Sequence, residues 1–102
     1  MQGSLALPKK DTEHERVLGI VFDLSPAQAS VLSALARGTV ATSDELLKFA
    51  SIKTQLKVVV SRTRAKLRTH GIDINSRIGV GYWIDKEGQD AIELAVRKFV
   101  GR

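Results

Sequence analysis

The chain of 102 residues contains no cysteine, two prolines, one tryptophan, one tyrosine and three phenylalanines. Without cysteine it can form neither a disulfide framework nor a metal site built on thiolates, and a reducing cytoplasm suits it. So few aromatic side chains do not predict a surface on which the bases of a single-stranded nucleic acid stack. No apolar run approaches the roughly 20 residues of a membrane-spanning helix, so we expect no contact with a membrane.

Acidic residues are also missing from one long segment. Between Lys48 and His70 there is no Asp or Glu, although the chain has eleven elsewhere. The same segment holds seven basic residues: Lys48, Lys53, Lys57, Arg62, Arg64, Lys66 and Arg68. The formal net charge is +5 and the isoelectric point is about 9.9. A basic segment of this kind predicts binding to a polyanion.

A helix over 53–69 would sort this segment into two faces. One face, predicted to be buried, carries Leu56, Val60, Thr63 and Leu67. The opposite face carries the small side chains Thr54, Val58, Ser61 and Ala65, flanked by Gln55, Lys57, Arg62, Arg64, Lys66 and Arg68. Small residues let a helix approach base edges, while long cations on either side reach the phosphates along the major groove. The alternative interpretation is an ordinary solvated helix face.

The N-terminal region shows two patterns. Residues 1–15 have no clean hydrophobic period, which predicts a flexible arm. Residues 16–24 alternate apolar side chains, with Leu18, Ile20 and Phe22 on one side of an extended chain. This alternation predicts a strand.

Three candidate helix-capping residues follow along the chain. Ser25 with Gln28 predicts a capped helix that stops near Gly38, and Thr42 with Glu45 predicts a second, short helix ending near Ala50. Ser51 is the predicted cap of the basic helix. Only about three residues would then separate the short helix from the basic one, which is typical of a helix-turn-helix.

Residues 72–84 predict a two-stranded hairpin with Gly79 and Gly81 near its tip. The two glycines are too sparse for a dinucleotide-binding loop. Helix, short helix, basic helix and hairpin follow one another as in a winged helix. The predicted fold is α+β: a three-helix core with a hairpin wing over 74–84, an N-terminal strand and an extra C-terminal helix, with 16–84 as the DNA-binding domain.

The segments LSPAQASVLSALARG, TSDELL, VVVSRTRAKL and INSRIGVGYWI, in this order from Leu24 to Ile84, resemble the winged-helix effector domain of OmpR-type bacterial response regulators. The resemblance implies that Val58, Ser61 and Arg62 meet bases and that Arg64 meets a phosphate. It also implies a contact of the wing with the DNA backbone or the minor groove, for which Arg77 is the candidate.

The sequence departs from that family in several places. No receiver domain precedes the winged helix, so we expect no phosphorelay control within this chain. One predicted strand stands where the family has a four-stranded sheet, and the loop that touches RNA polymerase in activators is nearly absent. Arg77 lies one residue before the family's wing position, which Ile78 occupies. These departures favour a repressor, an architectural protein or a compact phage-like or plasmid-like regulator.

The C-terminal segment lies outside the resemblance. Asp85 is the predicted cap of a helix over 86–100 with an apolar stripe, made of Ile92, Ala95, Val96 and Phe99. Residues 85–102 are expected either to pack on the domain or to mediate a homodimer, which would present two basic helices to two half-sites.

Two functions remain open. The first is sequence-specific binding of double-stranded DNA in transcriptional regulation, in the cytoplasm at the nucleoid, with 53–69 in the major groove. The second is a winged-helix interaction module that binds a regulator or an RNA polymerase subunit, as an accessory or phage-like inhibitor would. His14 and His70 lack partners at metal-ligand spacing and no catalytic constellation is visible, so we predict no enzyme, cofactor or metal.

Overall fold

Within the described residues, 10–50, 52 and 55–101, the computed structural model contains five helices and one two-stranded antiparallel sheet. The elements in chain order are α1 (Thr12–Phe22), α2 (Pro26–Leu35), α3 (Ser43–Ala50), α4 (Leu56–Arg68), β1 (Asn75–Arg77), β2 (Gly81–Trp83) and α5 (Lys86–Val100). The fold is therefore α+β. One hydrophobic core receives side chains from all five helices and from the segments that flank the sheet.

The predicted N-terminal strand is wrong, because residues 16–24 belong largely to α1. The carboxylate of Asp11 accepts a hydrogen bond from the backbone N–H of His14 at 3.0 Å and caps the helix. Leu18 and Phe22, four residues apart, lie on one helical face and are buried, whereas Ile20, on the same side of the predicted strand, is 52% exposed. The helical period therefore describes this segment and the alternating period does not.

The predicted arm needs a correction too. Residues 1–9 lie outside the described residues, but 12–15 form the first turn of α1. The side chain of Glu15 accepts a hydrogen bond from the Ser30 hydroxyl of α2 at 2.6 Å. Residues 12–15 of the predicted arm thus belong to the helix that packs on α2.

Both predicted capping boxes are confirmed. The Ser25 hydroxyl accepts from the Gln28 N–H at 3.3 Å, and the Gln28 side chain accepts from the Ser25 N–H at 3.0 Å. At α3 the reciprocal bonds between Thr42 and Glu45 measure 3.1 and 2.9 Å. Between them, every residue over 29–35 is buried, so α2 is the central helix, with α1, α3 and α4 packed around it.

The predicted hairpin is confirmed, with Asn75 opposite Trp83 and Arg77 opposite Gly81. An antiparallel bridge between Ala41 and Tyr82, with N–H···O distances of 2.9 and 2.8 Å, ties the hairpin to the α2–α3 connection. Gly81 has a φ of 129°, and a Cβ there would lie 2.4 Å from the Ala41 carbonyl oxygen. Only glycine allows this close approach.

The predicted C-terminal helix is confirmed as α5, which the Asp85 carboxylate caps through the Gly88 N–H at 2.9 Å. It packs against α1. Within the described residues no single helix is long and apolar enough to cross a membrane; α1 and α2 meet that test only as a pair, and the pair is bent by 109°.

Candidate nucleic-acid interface

The basic helix α4 turns its predicted stripe inward. Leu56, Val60, Thr63 and Leu67 are all buried, as is Val59. The Thr63 hydroxyl is satisfied by donating to the Val59 carbonyl oxygen at 2.7 Å, so its burial leaves no hydroxyl unpaired. On the opposite face Val58, Ser61 and Ala65 are exposed. The sorting of this helix into two faces is confirmed.

The start of the helix differs from the prediction. The first residue of α4 is Leu56 and its N-cap is Gln55, which makes no side-chain capping bond. The preceding helix α3 ends at Ala50. The predictions for Ser51, Lys53 and Thr54 fall outside the described residues.

The cations of the first part of α4 are open to solvent. Lys57 and Arg62 are exposed on α4, and Arg77 is exposed on β1. All eleven side-chain carboxylates lie in the described part of the chain. None of them comes within 4.0 Å of the side-chain nitrogens of these three residues. Within the described residues, none of the three cations forms an ion pair.

Arg64, in the second part of α4, is committed to the chain itself. Its Nε and Nη2 atoms donate to the Ile74 carbonyl oxygen at 3.0 and 2.7 Å, and its Nε lies 3.5 Å from the Asp73 carboxylate. The side chain is only 25% exposed. The phosphate contact that the resemblance implies for Arg64 stays a prediction, and the structure gives the guanidinium a different task. It ties α4 to the start of the hairpin.

Two further cations in the second part of α4, Lys66 and Arg68, are paired with acidic side chains. Arg68 Nε lies 3.6 Å from the Asp73 carboxylate, and Lys66 Nζ lies 2.8 Å from the carboxylate of Asp23, the residue that ends α1. The hydrogen bond from Lys66 holds the pKa of Asp23 below its ordinary value of 3.8. Both pairs are largely exposed to solvent. They orient the side chains of Lys66 and Arg68 and add little to the stability of the fold.

A groove of about 610 Å³ separates the hairpin from α3 and α4. Lys57 from α4 and Arg77 from β1 line it together, although they are distant in sequence. Of the acids, all within the described residues, Asp44 alone lines the groove. The fold thus adds the hairpin cation to the basic surface of α4.

Sequence reasoning missed three residues of this surface. Asp23 and Asp73 pair with cations that a helical wheel shows as free, and Ile78 forms the fully exposed tip of the hairpin. Asp73 follows the basic helix closely, so its proximity to the last helical turn was a usable signal. Asp23 lies 43 residues from Lys66 in sequence, and no local pattern joins them.

The predicted stripe of α5 lies mainly on the domain's own core. Ile92 is 3% exposed, and Ala95 and Val96 pack against the core, whereas Phe99 remains 37% exposed. Of the two alternatives left open for α5, these contacts show packing on the domain. A homodimer stays a prediction.

The two histidines have structural neighbours. His14 Nδ1 lies 2.9 Å from the Ser33 hydroxyl, and burial lowers the pKa of this histidine. The His70 ring packs edge-on against Phe22 with centroids 4.9 Å apart. In the described part of the chain, no group of three or more His, Asp or Glu side chains is arranged to hold a metal ion.

Comparisons with known proteins add no relative: no family model, no curated protein and no solved structure matches the chain.

Proposed function

We propose that the chain is a sequence-specific double-stranded DNA-binding protein of the winged-helix type that acts in transcriptional regulation. The observation that carries the proposal is the outward face of α4. There Val58 and Ser61 form a crest of small exposed side chains, while Lys57 and Arg62 stand beside it without an acidic partner.

The dimensions of α4 suit the major groove. Its 13 residues span roughly 20 Å at 1.5 Å per residue, and a groove about 12 Å wide admits a helix of this kind. Because the crest is made of small residues, base edges can come close to the helix. Val58 would meet a thymine methyl group, Ser61 a base edge, and Arg62 a guanine or a phosphate.

The hairpin supports the winged-helix interpretation. The order α2, α3, α4 and hairpin, together with the bridge from Ala41 to Tyr82, is compatible with a winged helix. Lys57 and Arg77 both line the groove between α4 and the hairpin. With α4 in the major groove, these two cations would contact the phosphate backbone beside it. In this arrangement α1 stands in place of the N-terminal sheet that the OmpR-type resemblance implies.

Selection from a random duplex library at two salt concentrations tests the proposal. The chain should enrich one motif, and its affinity should fall with salt along a line whose slope is about −0.9 for each phosphate neutralised. The two open cations placed beside phosphates, Lys57 and Arg77, predict a slope of about −2 or steeper. Lys98, an exposed lysine of α5, supplies the control: Lys98→Ala should leave motif and slope unchanged.

Failure of the selection would favour the other class of function. A chain that enriches no motif at either salt concentration is not a sequence-specific DNA-binding protein. If the same chain instead binds an RNA polymerase subunit or a regulator, and Arg62→Ala abolishes that binding, the basic surface recognises an acidic protein.

A further inference from the structure

The hairpin tip carries an apolar side chain that the fold does not use. The turn between β1 and β2 is closed by a bond from the Val80 N–H to the Arg77 carbonyl oxygen at 3.0 Å, and Gly79 supplies the positive φ of 82° that the turn requires. Ile78 is 102% exposed. Its side chain therefore gains nothing from the core, and the turn geometry places no demand for isoleucine at this position.

The surroundings of Ile78 are basic on balance, since the groove has two cations against one acid, Asp44. Ile78 lines the same groove as Lys57 and Arg77, the two open cations on its walls. Charge complementarity therefore favours a polyanion as the occupant of this groove. A protein partner fits less well, because a stable interface buries about 800 Å² on each side, far more than the tip residues Ile78 and Val80 expose.

The position of the hairpin indicates which part of a duplex the tip would meet. Lys57 lies in the first turn of α4, and the hairpin stands across the groove from it. If α4 occupies the major groove, the hairpin beside the first turn of α4 crosses the phosphate backbone. The tip of the hairpin then reaches the adjacent minor groove. The minor groove is about 6 Å wide, which suits a single aliphatic side chain and excludes a broad surface.

We infer that Ile78 is an apolar wedge. Its side chain enters the minor groove beside the α4 site and partly unstacks one base step there. Isoleucine is among the side chains that proteins use in this way, and the kink that results lets more of the protein contact the duplex. Arg77, next to Ile78, would hold the phosphate at the kink. Pyrimidine–purine steps unstack most easily, so the wedge would favour TA or CA at the flank. This inference rests on the proposed function.

The experiment uses the full chain and the duplex obtained by selection, with 2-aminopurine placed in turn at each step that flanks the major-groove motif. Wild-type protein should raise the fluorescence several-fold at one flanking step, because the probe brightens when it is unstacked. Ile78→Ser should abolish that increase and the flanking TA or CA preference, while it still binds the central motif within about tenfold of wild type. Ile78→Leu should restore the increase.

The matched control is Ile20→Ser, which removes the same side chain from the exposed side of α1, away from this groove. It should behave as wild type. Circular dichroism melting shows whether each variant folds. An equal fluorescence increase with Ile78→Ser, or no increase with wild type bound to its motif, overturns the wedge and leaves the proposed function standing. If wild type binds no duplex, the proposed function and the wedge both fail.

Discussion

The two parts of α4 use the same residue types in opposite ways. In the first part Lys57 and Arg62 are exposed, and within the described residues neither forms an ion pair with a side-chain carboxylate. In the second part Arg64, Lys66 and Arg68 are held by Ile74, Asp23 and Asp73, respectively. A helical wheel treats all five cations as equivalent. The folded chain does not, since the residues that α1 and the hairpin bring close decide which positive charges remain available.

The largest expected effect comes from Arg62. Arg62→Ala should weaken binding to the selected motif by about 1–3 kcal/mol and relax preference at one base pair, because a side chain at a base edge carries sequence information. Titration of the preferred and the altered duplex measures both quantities. Arg97→Ala, on α5, is the matched control. An Arg62→Ala protein with unchanged sequence preference would remove Arg62 from readout.

Arg64 tests the second part of the helix. Arg64→Ala should lower the free energy of unfolding by about 1–3 kcal/mol, since the Ile74 carbonyl loses a charge-assisted double hydrogen bond. Urea denaturation measures this loss. We also expect weaker binding to all sequences, because the hairpin loses its attachment to α4. An unchanged unfolding free energy together with a shallower salt slope would mean that Arg64 contacts phosphate and that the two parts of α4 do not differ.

A comparison of two lysines sharpens the contrast directly. Lys57→Ala should weaken binding to all duplexes and reduce the salt slope by about 1, as expected for a lost phosphate contact. Lys66→Ala should change the slope much less, because the Lys66 ammonium is already paired with Asp23. Affinities measured across a range of salt concentrations separate the two variants. Equal changes in slope would show that Lys57 and Lys66 are equally available to phosphates.

Removal of an acid should have the reverse effect. Asp73→Asn takes the carboxylate from Arg68 and should raise the affinity for all duplexes modestly, with a salt slope steeper by up to about 1. The Ile74 carbonyl keeps Arg64 in place in this variant. The same titrations measure it, and a fall in affinity would show that Asp73 organises the DNA surface instead of neutralising it.

The smallest effect concerns acid pH. Because the Lys66 hydrogen bond lowers the pKa of Asp23 in the folded chain, the pair stabilises the fold above the ordinary carboxyl pKa of 3.8 and this contribution disappears as the pH falls through the lowered value. NMR titration of the Asp23 carboxyl should give a pKa below 3.8 in wild type and a value near 3.8 in Lys66→Ala. A wild-type Asp23 pKa at or above 3.8 would contradict the ion pair between Lys66 and Asp23.

Local sequence signals predicted much of the fold. The reciprocal capping bonds at Ser25 and Thr42, the hairpin around Gly79 and the stripe through Leu67 are set by neighbours a few residues away, and all are present. The segment around Leu18 was wrongly predicted as a strand because its β-branched and alternating apolar residues fit both the strand period and the helical period. Burial of Leu18 with Phe22 on α2 decided between them.

The site was less predictable than the fold. The sequence shows which side of α4 faces outward, since that depends on the helical period alone. It does not show that α1 ends beside Lys66, or that the carbonyl of Ile74 meets Arg64. These contacts depend on how the helices and hairpin pack, and they redistribute the free positive charge toward Lys57, Arg62 and Arg77.

The most direct measurement is an NMR titration of the labelled chain with the selected duplex. The largest backbone amide shifts should fall over 55–62 and over 77–80, in α4 and the hairpin, with small shifts along α5. Shifts concentrated in α5 or α1, with α4 and the hairpin unchanged, would contradict the proposed DNA-binding surface.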